Sequence, residues 1–432
     1  MTKITFIGAG STVFAKNVLG DILLTPAFAD ARIALYDIDE ERLQDSYQML
    51  CNIKEHYHCR TAIEVYHDRR EALSHASYVI NAAQIGGFEP CGVRDLELPK
   101  ERYGLRQTVG DTLGIGGIFR GLRTIPVLLD MMHDMQEVCP EAWFINYVNP
   151  MAIVTGALLK EGGIKTIGIC HSVQECIPEL FASLGLSDEG VRYKIAGINH
   201  MAWLLEVTRD GEDLYPLIKR LALEKEGKHS DMVRFEVMRR FGYYVTESSR
   251  HTAEYMPYWI KSAYPELIDR FNIPLDSYIT NSRKRIGEWE KRRAELVHNP
   301  GLEHTRTKEY ASRIVEALET GVPYSFNGNV KNTGLIPNLP AEAIVEVPCV
   351  ADRTGILPCY MGALPEHLAA LNRTNINVQL LTIQAAFSHK KEDVYYAAML
   401  DPHTSAELSI DDIVALCDDL FEAHGSWLPE FH

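Results

Sequence analysis

Long apolar runs are missing from this chain. None approaches the roughly 20 residues that a membrane-spanning helix needs, which excludes a helical membrane protein. Basic charge is scarce: 43 Lys and Arg stand against 59 Asp and Glu, a formal net charge of -16. A nucleic-acid groove is therefore not expected, because phosphate binding needs a basic patch. No Cys-x-x-Cys pair occurs among the nine cysteines, and their number is odd. That argues against a disulfide scaffold and a four-ligand structural zinc site, and for a reduced, cytoplasmic protein. Tandem repeats, low-complexity tracts and Ser/Gly linkers are absent. The first residues run straight into a strand-like segment, with no basic stretch followed by an apolar one, so no secretion signal is expected.

What is present is ordinary globular material. With 432 residues, 46% hydrophobic and 24% charged, the chain can bury a core without disulfides or a structural metal. Short β-prone runs at 3–8, 32–38, 61–67, 77–83, 142–148 and 165–170 alternate with helical stretches at 13–24, 39–57 and 118–138. This alternation predicts an α/β fold: a Rossmann-type, doubly wound parallel sheet over residues 1–170. After Cys170 the pattern changes. Paired strands are expected over 192–208 with a turn at Asp210-Gly211, then mostly polar helices over 216–321. A loop or crossover is expected over 325–340, a strand over 343–350 and helices to the end. Residues 171–432 thus read as an α+β domain packed closely on the first, with a cleft between them.

Gly8-Ala9-Gly10-Ser11 lies between the first strand and the first helix, where glycine lets the backbone approach a pyrophosphate. The third glycine of the usual fingerprint is Val13 here. Asp37 ends the second strand, where a carboxylate can accept bonds from adenosine ribose hydroxyls. Ile38, Asp39, Glu40 and Glu41 follow, and this acidic surrounding favours NAD over NADP. A second glycine cluster, 110–117, reads either as a capped helix start or as a loop folded over the nicotinamide with Asp111 at the reaction centre; no Gly-Lys-Ser/Thr phosphate loop follows it.

Strand ends of open parallel sheets are where ligands bind. Here they carry Asn149-Pro150, Cys170-His171-Ser172-Val173 and Gly197-Ile198-Asn199-His200. A thiolate and an imidazole make a plausible half-site for a divalent transition metal, with positions left for substrate oxygens; both residues could equally be core groups. The segment 250–259, RHTAEYMPYW, has the polar and aromatic composition of a sugar site and also of an aromatic helix face.

Taken together these motifs resemble the NAD- and manganese-dependent glycosidases of glycoside hydrolase family four, over essentially the whole chain. Cys170-His171-Ser172-Val173 looks like the α-galactosidase subgroup, the bacterial melibiases, rather than the 6-phosphosugar members, which carry Asp or Asn after that cysteine. The resemblance implies a lactate/malate dehydrogenase-like fold overall, and NAD with Mn2+ or another divalent transition metal as cofactors. It implies Gly8, Gly10, Ser11 and Asp37 for the dinucleotide, and Cys170 and His200 as metal ligands. It implies Asn149 against the sugar, Tyr255 as base at C2, His171 near the leaving oxygen and Asp111 beside the nicotinamide. The implied reaction oxidises the sugar at C3, removes the C2 proton, eliminates the aglycone and adds water. The expected substrate is a small terminal α-D-galactoside, with no nucleic-acid or membrane partner, and the expected assembly is a homodimer or homotetramer. α-Glucosidase, α-galacturonidase or glucuronidase activity, and a net NAD-dependent dehydrogenase, are the alternatives.

Overall fold

A computed structural model describes all 432 residues. Six parallel strands open the chain: β1 (Lys3–Ile7), β2 (Arg32–Tyr36), β3 (Ala62–Tyr66), β4 (Tyr78–Asn81), β5 (Trp143–Asn146) and β6 (Lys165–Gly168). They lie in the spatial order β3-β2-β1-β4-β5-β6, the doubly wound order of dinucleotide-binding folds. The reason is legible in β1, where every residue of KITFI is buried, as a strand covered by helices on both faces requires. Asp39 caps the helix Glu40–His56 by accepting a hydrogen bond from the Arg42 N–H.

The sheet does not stop at β6. Seven further strands extend it: β7 (Arg192–Ile198), β8 (Met201–Arg209), β9 (Glu212–Asp213), β10 (Tyr244–Val245), β11 (Tyr324–Lys331), β12 (Ile344–Asp352) and β13 (Gly355–Pro358). β11 pairs antiparallel with β6, and the path continues β11-β12-β7-β8-β10, with β9 on β8 and β13 on β12. A single row of partners crosses this junction: Asn81, Asn146, Gly168, Asn329, Glu346 and Gly197. Asn81, Asn146, Asn329 and Glu346 in that row are fully buried. Asn329 Nδ2 donates to the Gly168 carbonyl at 3.4 Å and to Glu346 Oε1 at 3.4 Å. Polar side chains thus stitch the parallel half to the antiparallel half where the backbone pairing is reduced to single residues.

Three expectations need correction. Residues 324–331 form β11 rather than a loop, because their asparagines bond to neighbouring strands instead of turning the chain back. Asn327 Nδ2, for example, donates to the Ile195 carbonyl at 3.2 Å. A β-carbon at Gly328 would stand 2.7 Å from Ile167 Cδ1, so glycine here serves close strand packing. The helix expected from residue 118 begins at Gly114 and runs to Val138, so the second glycine cluster is partly helix. A β-carbon at Gly116 would lie 2.3 Å from the Gly110 carbonyl oxygen; glycine lets the preceding loop fold back on the first turn. Finally, the short strand β13 interrupts the expected all-helical end.

One cluster of 78 buried apolar residues runs from Ile4 and Phe6 through Trp203 to Leu420, so both halves of the sheet share a core. The long helix Glu366–Ser388 packs on the helices Gly114–Val138 and Met151–Glu161. It is tied to β8 by Trp203 Nε1 donating to Asn372 Oδ1 (3.1 Å) and Asn372 Nδ2 donating to the Met201 carbonyl (2.7 Å). No helix is long and apolar enough to cross a membrane.

Candidate active site

The first glycine loop sits where the parallel strand order reverses. Gly8 has φ +84°, and a β-carbon there would be 2.6 Å from the Ala82 carbonyl carbon, so no other residue fits. The Gly10 N–H donates to Asp37 Oδ2 at 2.7 Å, and the Asp39 N–H donates to Asp37 Oδ1 at 2.9 Å. Asp37 is thereby fixed against the loop, with lone pairs left for a ribose diol. Ser11 is exposed at the N-terminal end of the helix Thr12–Leu23. The structure therefore gathers Gly8, Gly10, Ser11 and Asp37 into one cradle.

A second group converges beyond the carboxyl ends of β5 and β6. Cys170 stands at the N-terminus of the helix His171–Ser183, and His200 stands in the β7–β8 turn with φ +62°. Cys170 Sγ and His200 Nε2 are 3.4 Å apart, and His200 Nε2 and Glu247 Oε2 are 3.6 Å apart. All three donor atoms lie within 4.8 Å of one another. With metal–ligand bonds of roughly 2.0–2.3 Å, neighbouring ligands on one ion sit about this far apart.

The electrostatics agree. Burial opposes ionisation of Cys170, but the His200 imidazole overrides it and brings the thiol down to about 6. Burial lowers His200, and Cys170 with Glu247 outweighs it, raising the imidazole to about 10. Burial also works against the Glu247 carboxylate, yet His200 and His251 hold it at about 2. Without a cation the pocket thus pairs a thiolate and a carboxylate with an imidazolium; a divalent transition ion that displaces the imidazolium proton would meet a thiolate, an imidazole and a carboxylate, a donor set that suits it. Beside it Asp111 Oδ1 and His251 Nε2 are buried without hydrogen-bond partners, although they face each other at 3.5 Å. The residues present fit a bound metal.

The remaining expected residues join this group. Asn149 Nδ2 donates to Asp111 Oδ2 at 3.3 Å, and Arg120 reaches both, with Nε donating to the Asn149 carbonyl at 3.1 Å and Nη1 3.7 Å from Asp111 Oδ2. Despite burial, His251 and Arg120 hold the Asp111 carboxyl well below the usual range. Tyr255 is 2% exposed and donates its hydroxyl to Thr112 Oγ1 at 2.9 Å. Burial, then the carboxylates of Asp111, Glu254 and Glu247, push its phenol well above the ordinary value, with only Thr112 opposing. Glu254 anchors the Asp111 loop, accepting the N–H groups of Thr108, Val109 and Gly110 at 2.5, 2.7 and 3.0 Å. His171 lies at the rim, its Nε2 2.7 Å from Glu309 Oε2.

Glu247, Arg120, Thr112 and Glu309 were not read from the sequence as site residues, and His251 entered only within the 250–259 segment. His251 and Tyr255 stand four apart on the helix Ser249–Tyr255, a spacing that puts both on one face, whereas Glu247 precedes the Ser248 N-cap and carries no such signal. Glu309 is 138 residues from its partner and offers no local one. Of the 250–259 segment, His251 through Tyr255 are buried in the site, whereas Tyr258 is 47% exposed and Trp259 packs on Phe271. Trp259 thus belongs to the core and Tyr258 to the surface, and neither is part of the cluster.

Comparison with known proteins gives a consistent picture. Residues 3–186 match the model of the family 4 glycosyl hydrolases, and residues 195–404 that of their C-terminal domain. An α-galactosidase of Bacillus subtilis (strain 168) is 64% identical over 432 residues, the full length of both chains. A solved 6-phospho-α-glucosidase from gut microorganisms, in complex with NAD and Mn2+, superposes with a TM-score of 0.84 at 21% identity and covers both chains completely. A malate dehydrogenase of Plasmodium falciparum superposes with a TM-score of 0.55 at 13% identity, over 90% of this chain and 99% of that one, a likeness of fold.

Proposed function

The chain belongs to family 4 of the glycosyl hydrolases, and from that premise we propose that it hydrolyses terminal α-D-galactosides of the melibiose type with NAD and a divalent metal, Mn2+, as cofactors. The observation that carries this reading is the Cys170–His200–Glu247 triangle, joined through His251 to Asp111 and Asn149 and flanked by Tyr255.

In this reading residues 1–170 hold the dinucleotide and residues 171–432 supply most of the metal and sugar contacts. Gly8, Gly10 and Ser11 receive the pyrophosphate, and Asp37 receives the adenosine ribose. Cys170 and His200 hold the metal, with Glu247 as a third donor. When bound, NAD supplies a hydride acceptor that oxidises C3 and later returns the hydride, and the metal supplies a Lewis acid that polarises the sugar oxygens. Asn149 and Asp111, braced by Arg120, orient the sugar beside these groups.

Tyr255 takes the C2 proton. Its surroundings keep the phenol protonated when only protein charges are counted, so a cation in the neighbouring triangle is what makes it a base. As the C1–oxygen bond breaks, His171 gives a proton to the aglycone oxygen. Water then adds at C1, Tyr255 returns a proton to C2, and the net change is hydrolysis. This differs from the two-carboxylate route, to which NAD-dependent glycosidases are an exception.

Nine free cysteines support a reducing, cytoplasmic setting, and the net charge of -16 speaks against a nucleic-acid partner. The assembly expected for this reading is a homodimer or homotetramer. A panel of nitrophenyl glycosides with NAD, Mn2+ and a thiol tests the reading. Release is expected from the α-galactoside. Preference for the α-glucoside or a uronide would overturn the sugar assignment, and NADH accumulating in step with product would indicate a net dehydrogenase.

A further inference from the structure

We infer that Glu309 is a positioning residue for the proton delivered to the leaving group: with Tyr147 it holds the His171 ring so that Nε2 is committed to the protein and Nδ1 is left to serve the aglycone oxygen. The inference rests on the reading of His171 as proton donor, and goes beyond it by naming what orients that donor.

The geometry is a clamp of two adjacent residues on two adjacent residues. Glu309 Oε2 lies 2.7 Å from His171 Nε2. Next in sequence, the Tyr310 hydroxyl donates to the Cys170 carbonyl at 2.7 Å. An ionised carboxylate only accepts, so the bond requires the proton on Nε2. The Tyr147 hydroxyl donates to the same carboxylate oxygen at 3.2 Å, while its ring stacks on the His171 ring at 5.8 Å between centroids and 25° between planes. Ring plane and tautomer are thus both set by the protein. The Glu309 side chain is 9% exposed, whereas that of His171 keeps 41%, so the clamp is inside and the ring opens outward.

The clamp is itself anchored. Asp21, on the helix that follows the glycine loop, accepts Thr307 N–H at 2.9 Å, Thr307 O–H at 2.7 Å and His304 Nε2 at 2.7 Å. Thr307 Oγ1 in turn accepts the Glu309 N–H at 3.1 Å. Residues 304–309, remote in sequence from Asp21, are thereby pinned to the helix Thr12–Leu23 and deliver Glu309 to His171. A carboxylate that orients an imidazole in this way is the recurrent partner of a histidine that moves protons.

In the step concerned, the C2–H electron pair becomes the C1–C2 double bond and the C1–oxygen bond breaks toward the aglycone. The proton passes from Nδ1 of the His171 imidazolium to that oxygen, leaving a neutral ring still held through its Nε2–H, and Nδ1 regains a proton from the water that adds at C1. A sugar aglycone needs this proton; a nitrophenolate leaves without it. The test compares melibiose with 4-nitrophenyl α-galactoside for wild type, Glu309→Gln and His171→Ala, each at saturating NAD and Mn2+. Losing an orienting partner is worth about 10–100-fold, so Glu309→Gln is expected to lower kcat on melibiose at least ~10-fold more than on the nitrophenyl substrate, with the Mn2+ half-saturation unchanged. Equal losses on both substrates, or no loss on either, would overturn the inference. If Glu309→Gln does not fold, Tyr147→Phe must show the same substrate-selective loss at smaller size, and an equal loss on both substrates overturns it. If His171→Ala itself shows no selectivity for melibiose, the donor assignment is what fails; if His171→Ala is selective and Glu309→Gln is not, only the role of Glu309 fails.

Discussion

Replacing Tyr255 by Phe removes one oxygen from a side chain that is otherwise buried and retained. The structure gives that oxygen one protein partner, Thr112 Oγ1 at 2.9 Å. If the hydroxyl were structural, the loss would be one neutral hydrogen bond, about 1 kcal/mol, which is about fivefold in rate if expressed wholly in the barrier. If Tyr255 is the C2 base, the loss is that of a general base, at least about a hundredfold, or ~2.7 kcal/mol. The two readings are separated by more than the scatter of either number. The assay is kcat for 4-nitrophenyl α-galactoside at saturating NAD and Mn2+, with thermal unfolding to confirm a fold within about 1 kcal/mol of wild type. A variant that keeps more than about a tenth of wild-type turnover would refute the reasoning, because no general base of this kind is worth so little. His251, 3.5 Å from Asp111 and 3.7 Å from Glu247, would then be the next candidate.

Cys170→Ser, or exhaustive chelation, is expected to abolish turnover while circular dichroism stays unchanged; full activity without metal would contradict the site. Air oxidation should likewise inactivate the enzyme by converting the thiolate to a sulfenate or disulfide, and thiol should restore it. Glu247→Gln is expected to raise the Mn2+ concentration for half-maximal activity at least ~10-fold, with activity recovering as metal is added; an unchanged metal titration would remove Glu247 from the ligand set. Asp37→Ala should weaken NAD binding, measured by fluorescence titration, while leaving NADP binding little changed; equal losses for both would mean that Asp37 only braces the Gly10 loop.

The parallel half of the fold was legible because its strands are buried on both faces and read as continuous apolar runs, as in KITFI and RIALY. β11 was not, because Asn327, Gly328 and Asn329 carry the local chemistry of a turn and only the neighbouring strands give them sheet partners. The start of the helix at Gly114 was hidden for a similar reason: its glycines serve contact with the folded-back loop, which sequence does not display. In the site, Cys170, His171 and Asn149 stood at strand ends, where the fold class directs attention. Glu247 and Glu309 stand outside such positions. They reach the cluster through packing between segments 47 to 138 residues apart in sequence, and neither composition nor periodicity encodes that distance.

The central claim is that the C2–H bond of the sugar is broken during hydrolysis. Hydrolysis of 4-nitrophenyl α-galactoside in deuterated water, followed by proton NMR of the released galactose, tests it directly. The account predicts deuterium at C2, because the proton taken by Tyr255 exchanges with solvent before one is returned. Galactose that keeps its full C2 proton signal, while wild-type turnover remains dependent on NAD and Mn2+, would contradict it.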